Sequence, residues 1–454
     1  MNIIAVSCLY QNKLGIGYNN KLPCYNKEEL QLFKETTKGS TLIVGRVTFE
    51  GLPLLEDRRI YCVSKTTPEK IVTKNGFWLF SSVEEALEYH KKYGINRKLF
   101  IAGGEKIYDY VLQNFQDVKI YLSILNEEYP CDKFFNINRK EWTIEKEEKF
   151  ETFTRYILNK NVSEEIQYLN LLEDVLLEKE RKTRNSITKS TFGKQIKFNL
   201  QNGFPLLTTK KMFFSGIVEE LLFFLRGDTD TKILEEKGIK IWSGNTSREF
   251  LDSIGMRDRK VGLMGPMYGF QWRFFGCEYD EKTGRPTDFN GRIDQFDQLE
   301  YVINLIKNDP NSRRIIMTDY NPNQATQGVL FPCHSLINQF YCDDEYLDMS
   351  CYNRSQDLFL GVPFNISSSA LLLVIIAKLC NKKPRNLIMN LGDVHIYQDH
   401  YESCKLQINR FTYKFPTLEL VGDFSLEKLD KLNIENFILH NYNCQPSIKA
   451  KMIP

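Results

Sequence analysis

The first third of the chain alternates short apolar runs with amphipathic stretches. Asn2–Leu9, Ser40–Gly45, Arg59–Ser64, Leu99–Ala102 and Lys119–Leu125 are rich in β-branched and aromatic residues, which predicts strands. Between them, apolar positions recur at helical spacing in Lys27–Thr37, Ser82–Tyr93 and Glu105–Asn114. Ser82 is placed to cap its helix, and Glu84 and Glu85 stand in the first turn, where the helix dipole favours acid. Strands separated by helices predict an open α/β sheet. A polar stretch, Asn159–Ser163, then leads into a strong helical pattern from Glu164 to about Lys182. Ser163 is the expected cap, Glu164 and Glu165 fall in the first turn, and Ile166, Leu169, Leu172 and Leu176 form the apolar stripe. The polar stretch marks a domain boundary with a short linker. It divides the chain into an α/β domain over residues 1–160 and one large mixed α+β domain over residues 161–454.

Composition narrows the class. The 454 residues are 42% hydrophobic and 26% charged, enough to build sizeable cores without a disulfide or metal staple. Sixty basic residues against 58 acidic leave a net charge of +2. That balance argues against a broad nucleic-acid or anionic-membrane footprint and leaves room for a local basic pocket. Eleven cysteines with no CxxC pair, and only five histidines, argue against a metal cluster and for a reducing compartment. The opening MNIIAVSCLY has no basic stretch before its apolar run and reads as a strand rather than a signal peptide. The longest apolar run, Ala370–Ala377, is too short to span a bilayer. The expectation is a cytoplasmic protein with no metal and no membrane attachment.

Three features of the first domain carry chemistry. Gly15–Thr37 is a glycine-rich loop leading through Pro23 into a helix on which Glu29 and Phe33, four apart, share a face. A carboxyl beside an aromatic ring can hold an acid against a flat heterocycle. Gly45-Arg46-x-Thr48-x-Glu50 follows a strand, and Ile101-Ala102-Gly103-Gly104 ends another just before a helix. Glycines there let backbone N–H groups and a helix N-terminus approach a pyrophosphate. In this order the features resemble dihydrofolate reductase across residues 1–155. The resemblance implies that Glu29 hydrogen-bonds the pteridine and supports protonation at N5, with Phe33 packing on the folate and Arg58 pairing with its glutamate carboxylate. Ser123 stands where the family usually has a threonine bonded to the acid. Ile16, Gly17, Gly45, Arg46, Thr48, Gly103 and Gly104 would contact NADPH. The chain departs from the family at Cys24, where a tryptophan is usual after Leu22-Pro23. It also departs at Glu105, in place of a third glycine, and by an extra residue in the loop before Gly15. Cys24 leaves space at the pteridine unless a neighbour such as Tyr18 or Tyr25 fills it.

The second domain holds longer motifs. They are Glu220–Thr229, Gly265–Arg273, Ser312-Arg313-Arg314, Phe331-Pro332-Cys333-His334, Asn353–Ile366 and Gly392–Tyr397. The series resembles thymidylate synthase from about Glu164 to Pro454. The residue types fit that chemistry. Methyl transfer to C5 of a pyrimidine needs a nucleophile that adds at C6 and later leaves, and the Cys333 thiolate suits both steps. Arg354 can supply the positive charge it needs. A nucleotide phosphate calls for a fork of arginines, and the resemblance assigns it to Arg184, Arg354 and Ser355. It adds Arg313 and Arg314 from a second subunit, which implies a homodimer through this domain. The carboxamide of Asn365 can donate to O4 and accept from N3–H of uracil. The resemblance places His334 and Asp357 at the nucleotide as well, and His395 and Tyr397 on the ribose. Glu220 would organise proton transfers and Tyr268 would help remove the C5 proton. Trp242, Asn245, Asp357 and Gly361 would line the folate site. The departures here are Asn353 for a usual glutamine, Asn185-Ser186 for Thr-Gly, Ser369 for a frequent tyrosine, and the ending Lys451-Met452-Ile453-Pro454. The last bears on how the tail closes over ligands.

Taken together, the chain resembles the fused dihydrofolate reductase–thymidylate synthases. The resemblance implies methylation of dUMP to dTMP by 5,10-methylenetetrahydrofolate through a Cys333 adduct, and NADPH-dependent recycling of the dihydrofolate released. The alternative is an active synthase carrying a non-catalytic reductase-like scaffold.

Overall fold

The computed structural model describes residues 1–53, 55–65, 77–94, 96–160, 163–183, 186–287 and 296–453. The chain divides into two compact units, Met1–Ser163 with Phe411–Tyr413, and Glu164–Arg410 with Lys414–Pro454.

In the first unit Asn2–Tyr10 is the central strand. It lies parallel to Leu99–Ile101 on one side and Lys119–Leu125 on the other. Thr41–Gly45, Arg59–Val63 and Phe77–Phe80 extend the parallel part, and Phe153–Asn159 and Thr143–Lys149 add antiparallel strands. Thr412–Tyr413 completes that edge as a short parallel strand. Parallel pairing requires crossovers, and the helices Lys27–Thr37, Val83–Tyr93 and Glu105–Asn114 lie between successive strands. Their ends follow local chemistry. Ser82 Oγ accepts from the Glu85 N–H at 3.2 Å, the cap expected from the sequence. Ligands in such sheets bind beyond the carboxyl ends of the strands, and both Gly45 and Gly103 lie there.

The second unit is built on a six-stranded sheet. Its order is Glu180–Lys182, Ile187–Asn199, Lys383–Tyr397, Tyr346–Asp357, Ile337–Cys342, Ile316–Thr318. Neighbours are antiparallel except Tyr346–Asp357 and Lys383–Tyr397, which run parallel because the helix Gly361–Leu379 carries the chain across between them. That helix is apolar nearly all round and long enough by composition to cross a membrane. It lies buried in this unit's core instead.

The helix expected from Glu164 to about Lys182 is shorter, Ile166–Leu177, and Glu180–Lys182 pairs as an edge strand with Ile187–Asn199. Ser163 is not its cap. The cap position falls on Glu165, with no side-chain cap bond. The two acids were drawn elsewhere: Glu165 accepts from the N–H and hydroxyl groups of Thr208 and Thr209, and Glu164 from Asn199 and Asn202. The buried face is Tyr168, Leu169, Leu171, Leu172 and Val175, leaving Ile166 and Leu176 half-buried.

Candidate active sites

The acid of the first unit is set by a helix cap. Asn26 accepts from the Glu29 N–H at 3.0 Å, which starts Lys27–Thr37 and turns Glu29 inward, 6% exposed. Burial pushes its carboxyl above the ordinary range, against the opposing pull of a Ser123 hydrogen bond and the Arg155 charge. A carboxyl tuned upward holds its proton closer to neutral pH, as a proton donor must. Arg155 is a residue the motifs missed. It is buried, donates to Thr36 Oγ1 at 2.9 Å and lies 5.3 Å from the Tyr121 ring centroid. Its signal was the alternation in Phe153–Asn159, which sends Arg155 to the same buried side as Phe153. Arg58 is fixed at the end of the Glu29 helix, donating to the Lys34 carbonyl and, at 3.3 Å, to Thr37 Oγ1. Phe33 packs on the cluster containing Leu42, Val44 and Phe100.

Neither Tyr18 nor Tyr25 fills the space beside Cys24. Both tyrosines are exposed, at 49% and 81%. Instead Cys24 packs with Leu32, Tyr129 and Phe150 against Cys8, Cys131 and Phe153. The Tyr129 hydroxyl donates to Glu127 at 2.7 Å and also interacts with the Cys24 sulfur.

Gly45 and Gly103 join by an N–H to carbonyl bond of 2.8 Å. Gly104 then opens Glu105–Asn114 with no side-chain cap; the Ile107 N–H turns back to the Gly104 carbonyl, and the Glu105 and Lys106 N–H groups at the helix start can meet an anion. Thr48 covers the glycines: a Cβ on Gly104 would meet its Oγ1 at 3.2 Å, and Gly103 sits at φ +117°. Arg46 is exposed beside this cradle, 3.8 Å from Glu50. Ile16 and Gly17 end the strand Lys13–Gly17, where a Cβ on Gly17 would come within 2.9 Å of the Lys21 carbonyl. An uncapped helix start, a glycine-only approach and a nearby arginine fit the pyrophosphate of NADPH.

In the second unit, the sequence brings Cys333 and Tyr268 into contact, Oη to Sγ 3.6 Å. Tyr268 stacks between His334, at 4.6 Å, and Phe224, at 4.9 Å. It holds φ +42°, because Gly269 is wedged so tightly that a Cβ there would lie 2.1 Å from the Phe224 carbonyl oxygen. Burial pushes the Cys333 thiol up and Asp319 adds to this, while Tyr268 and Arg354 pull it down. Burial lowers His334 to about 4, so it is neutral at pH 7. Glu220 accepts from Trp242 Nε1 at 2.7 Å and is pushed by burial to about 7. Asp319 is the second residue the motifs missed. It is 1% exposed, and neither carboxylate oxygen has a hydrogen-bond partner among the described residues.

Arg354 is woven into the Cys333 segment. Its N–H donates to the Cys333 carbonyl at 2.9 Å and its Nε to the Pro332 carbonyl at 3.0 Å. With Ser355, His395 and Tyr397 it lines a cavity of about 400 Å³ that also takes in Arg181, Thr183, Thr188 and Asp393. Asp393 holds His395 Nδ1 at 2.9 Å and lies 3.7 Å from Arg181. Arg181 lies outside every motif and Asp393, though within Gly392–Tyr397, was given no role there; strand register brings both to the cavity beside Arg354. Asn365 donates to Gln356 at 3.0 Å. Asp357 spends Oδ1 on the N–H groups of Phe359 and Leu360, at the start of Gly361–Leu379. Asn245 is half-buried in the turn after Trp242. Arg313 and Arg314 are exposed just before Ile316–Thr318 and do not line this cavity. Arg184 lies outside the described residues.

Comparison with known proteins matches residues 2–162 to the dihydrofolate reductase family and residues 166–454 to the thymidylate synthase family. A bifunctional dihydrofolate reductase-thymidylate synthase of Paramecium tetraurelia is 39% identical, covering 96% of this chain and 96% of its own. One from Zea mays is 36% identical over 97% of this chain and 94% of its own, and human thymidylate synthase is 44% identical over 63% of this chain and 90% of its own. The two family matches stand in one polypeptide that the two bifunctional relatives cover almost whole, and the chain belongs to the bifunctional dihydrofolate reductase–thymidylate synthases.

Proposed function

We propose that the family's two activities divide between the two units, reduction of dihydrofolate in residues 1–160 and methylation of dUMP in residues 161–454. Gly45, Arg46, Thr48, Gly103 and Gly104, with Ile16 and Gly17, hold NADPH, which supplies the hydride. Glu29 keeps a proton beside the pteridine, tuned by Ser123 and Arg155, while Phe33 packs on the folate and Arg58 binds its glutamate carboxylate. A scaffold role for this unit is not favoured, since both the acid and the cofactor cradle are in place.

In the synthase, the Cys333 sulfur adds to C6 of dUMP, and Asn365 reads O4 and N3–H. The observation that carries this reading is the Tyr268–Cys333 contact of 3.6 Å, with the Arg354 N–H on the Cys333 carbonyl at 2.9 Å tying the nucleophile segment to a cavity lined by Arg354, Ser355, His395 and Tyr397. Arg184 joins the phosphate fork, and His334 and Asp357 complete the nucleotide side. Tyr268 assists removal of the C5 proton, and Glu220, titrating near 7, passes protons. Trp242, Asn245, Asp357 and Gly361 line the site of 5,10-methylenetetrahydrofolate.

The synthase unit acts as a homodimer. Ile316, Ile337, Tyr341 and Tyr352 lie on one sheet face by strand register, each 39% exposed or more. Gln339, Ser350 and Asp348 share that face, and exposed aromatic and branched side chains set among polar ones are the usual makeup of an interface. Arg313 and Arg314 then complete the second subunit's phosphate site. The test is subunit mixing of Cys333→Ser with Arg314→Ala, each parent being inactive or nearly so. Recovery of methylation on mixing is the expected result. No recovery after verified exchange places the arginine's role within its own subunit and contradicts the dimer reading. The eleven free thiols support a reducing compartment, the cytoplasm.

A further inference from the structure

Gln356 stands between the nucleophile and the residue that reads the base. It lies on Tyr346–Asp357, 1% exposed. Its Nε2 donates to the Cys333 carbonyl at 3.3 Å and to the Ser355 carbonyl at 2.9 Å. Its Oε1 accepts from Asn365 Nδ2 at 3.0 Å. All three contacts are buried or half-buried, so none is easily replaced by water.

The network has only one consistent orientation. Backbone carbonyls can only accept, so the Gln356 amide must turn its NH₂ toward Cys333 and Ser355. Its oxygen therefore faces Asn365, and Asn365 must answer with its own NH₂. The second Asn365 N–H and its Oδ1 remain for a ligand, a donor beside an acceptor. Uracil presents the complement, the O4 acceptor beside the N3–H donor. Cytosine presents the reverse, an N4 amino donor beside the N3 acceptor. To bind it, Asn365 would have to flip, which sets its Oδ1 against Gln356 Oε1. That exchanges a buried hydrogen bond for two opposed acceptors.

We propose that Gln356 is a specificity-determining positioning residue. It locks the Asn365 carboxamide in the uracil-reading orientation and ties that orientation to the backbone carbonyl of the nucleophile. The inference rests on the reading of Asn365 as the base-recognising residue. Asn365 alone can flip at little cost, and Gln356 converts an ambidextrous side chain into one that rejects cytosine.

The experiment measures dissociation constants of dUMP and dCMP, with kcat and KM for dUMP methylation, on the full-length enzyme. Four proteins are compared: wild type, Gln356→Met, Asn365→Ala and the double variant. Methionine keeps the length and removes every hydrogen bond. The dUMP-over-dCMP affinity ratio is expected to fall about tenfold or more in Gln356→Met. In the Asn365→Ala background the same change should lower it no further. A general structural role would weaken both nucleotides alike and leave the ratio unmoved. Gln356→Glu covers the case in which the methionine variant misfolds. Glutamate keeps an acceptor for Asn365 Nδ2, so the ratio should hold while kcat falls, because its other oxygen opposes the Cys333 carbonyl. A ratio that collapses in Asn365→Ala but holds in Gln356→Met overturns the role of Gln356 alone. So does a ratio that collapses in Gln356→Glu. A ratio that holds in Asn365→Ala overturns the base-reading assignment itself, and this inference with it.

Discussion

At the scale of single residues, each site works by environment more than by identity. Cys333 is an ordinary thiol whose reactivity depends on what surrounds its sulfur, and Asp319 is the neighbour that works against ionisation. Burial holds the Asp319 carboxyl well above its usual range. As pH rises and Asp319 takes on charge, thiolate formation at Cys333 becomes harder. Asn cannot charge, so Asp319→Asn should move the thiol's apparent pKa down. Alkylation by iodoacetamide near pH 8 should be faster than in wild type, and an unchanged rate-against-pH profile would contradict this. Cys24 makes a second case. Cys24 is half-buried and packs, like Leu32, Tyr129 and Phe150, on the cluster of Cys8, Cys131 and Phe153, so a tryptophan ring would have to displace packed side chains to turn inward. Cys24→Trp should destabilise the reductase unit by about 1–3 kcal/mol and slow NADPH oxidation at saturating dihydrofolate. A faster, equally stable variant would show that the pocket is open after all.

At the scale of elements, local signals and long-range ones separate clearly. Lys27–Thr37, Lys119–Leu125 and Glu105–Asn114 have the bounds that the residue pattern predicts, because the long-range bonds at their ends, Arg58 to Thr37 and the Phe134 N–H to Glu105, use side chains of these elements rather than their backbone. The helix after the linker is different. Glu164 and Glu165 look like first-turn acids, yet they satisfy Asn199, Asn202, Thr208 and Thr209, and strand pairing claims Glu180–Lys182. The motif residues of both sites were legible because each motif carries its chemistry within a few positions. Arg155, Asp319 and the roles of Asp393 and Gln356 were not, because each matters through a side chain or carbonyl that only the folded chain places beside it. Tyr268 shows how one element serves another. Its strained backbone is held by the packing of Gly269 on the helix Phe214–Leu225. Gly269→Ala should cost the synthase unit about 1–3 kcal/mol and most of its turnover by displacing Tyr268, with NADPH oxidation unchanged. Denaturant unfolding with both assays checks this. Full methylation activity in the variant would mean that the Tyr268 geometry is not required.

At the scale of the whole molecule, two chemistries that share folate are housed in two units with separate cores. The reductase needs a protonated acid beside a hydride donor, and the synthase needs a thiolate beside a base-reading carboxamide. Neither set of residues borrows from the other, so one activity should be removable without loss of the other. The direct measurement takes Cys333→Ser and Glu29→Ala, each in the full-length protein, and assays dUMP methylation and dihydrofolate-dependent NADPH oxidation on both. Cys333→Ser is expected to lose methylation by several orders of magnitude, as when a covalent nucleophile is removed, and to keep wild-type NADPH oxidation. Glu29→Ala should show the reverse. Methylation near the wild-type rate in Cys333→Ser, or loss of both activities from either single change in a folded protein, would contradict this separation.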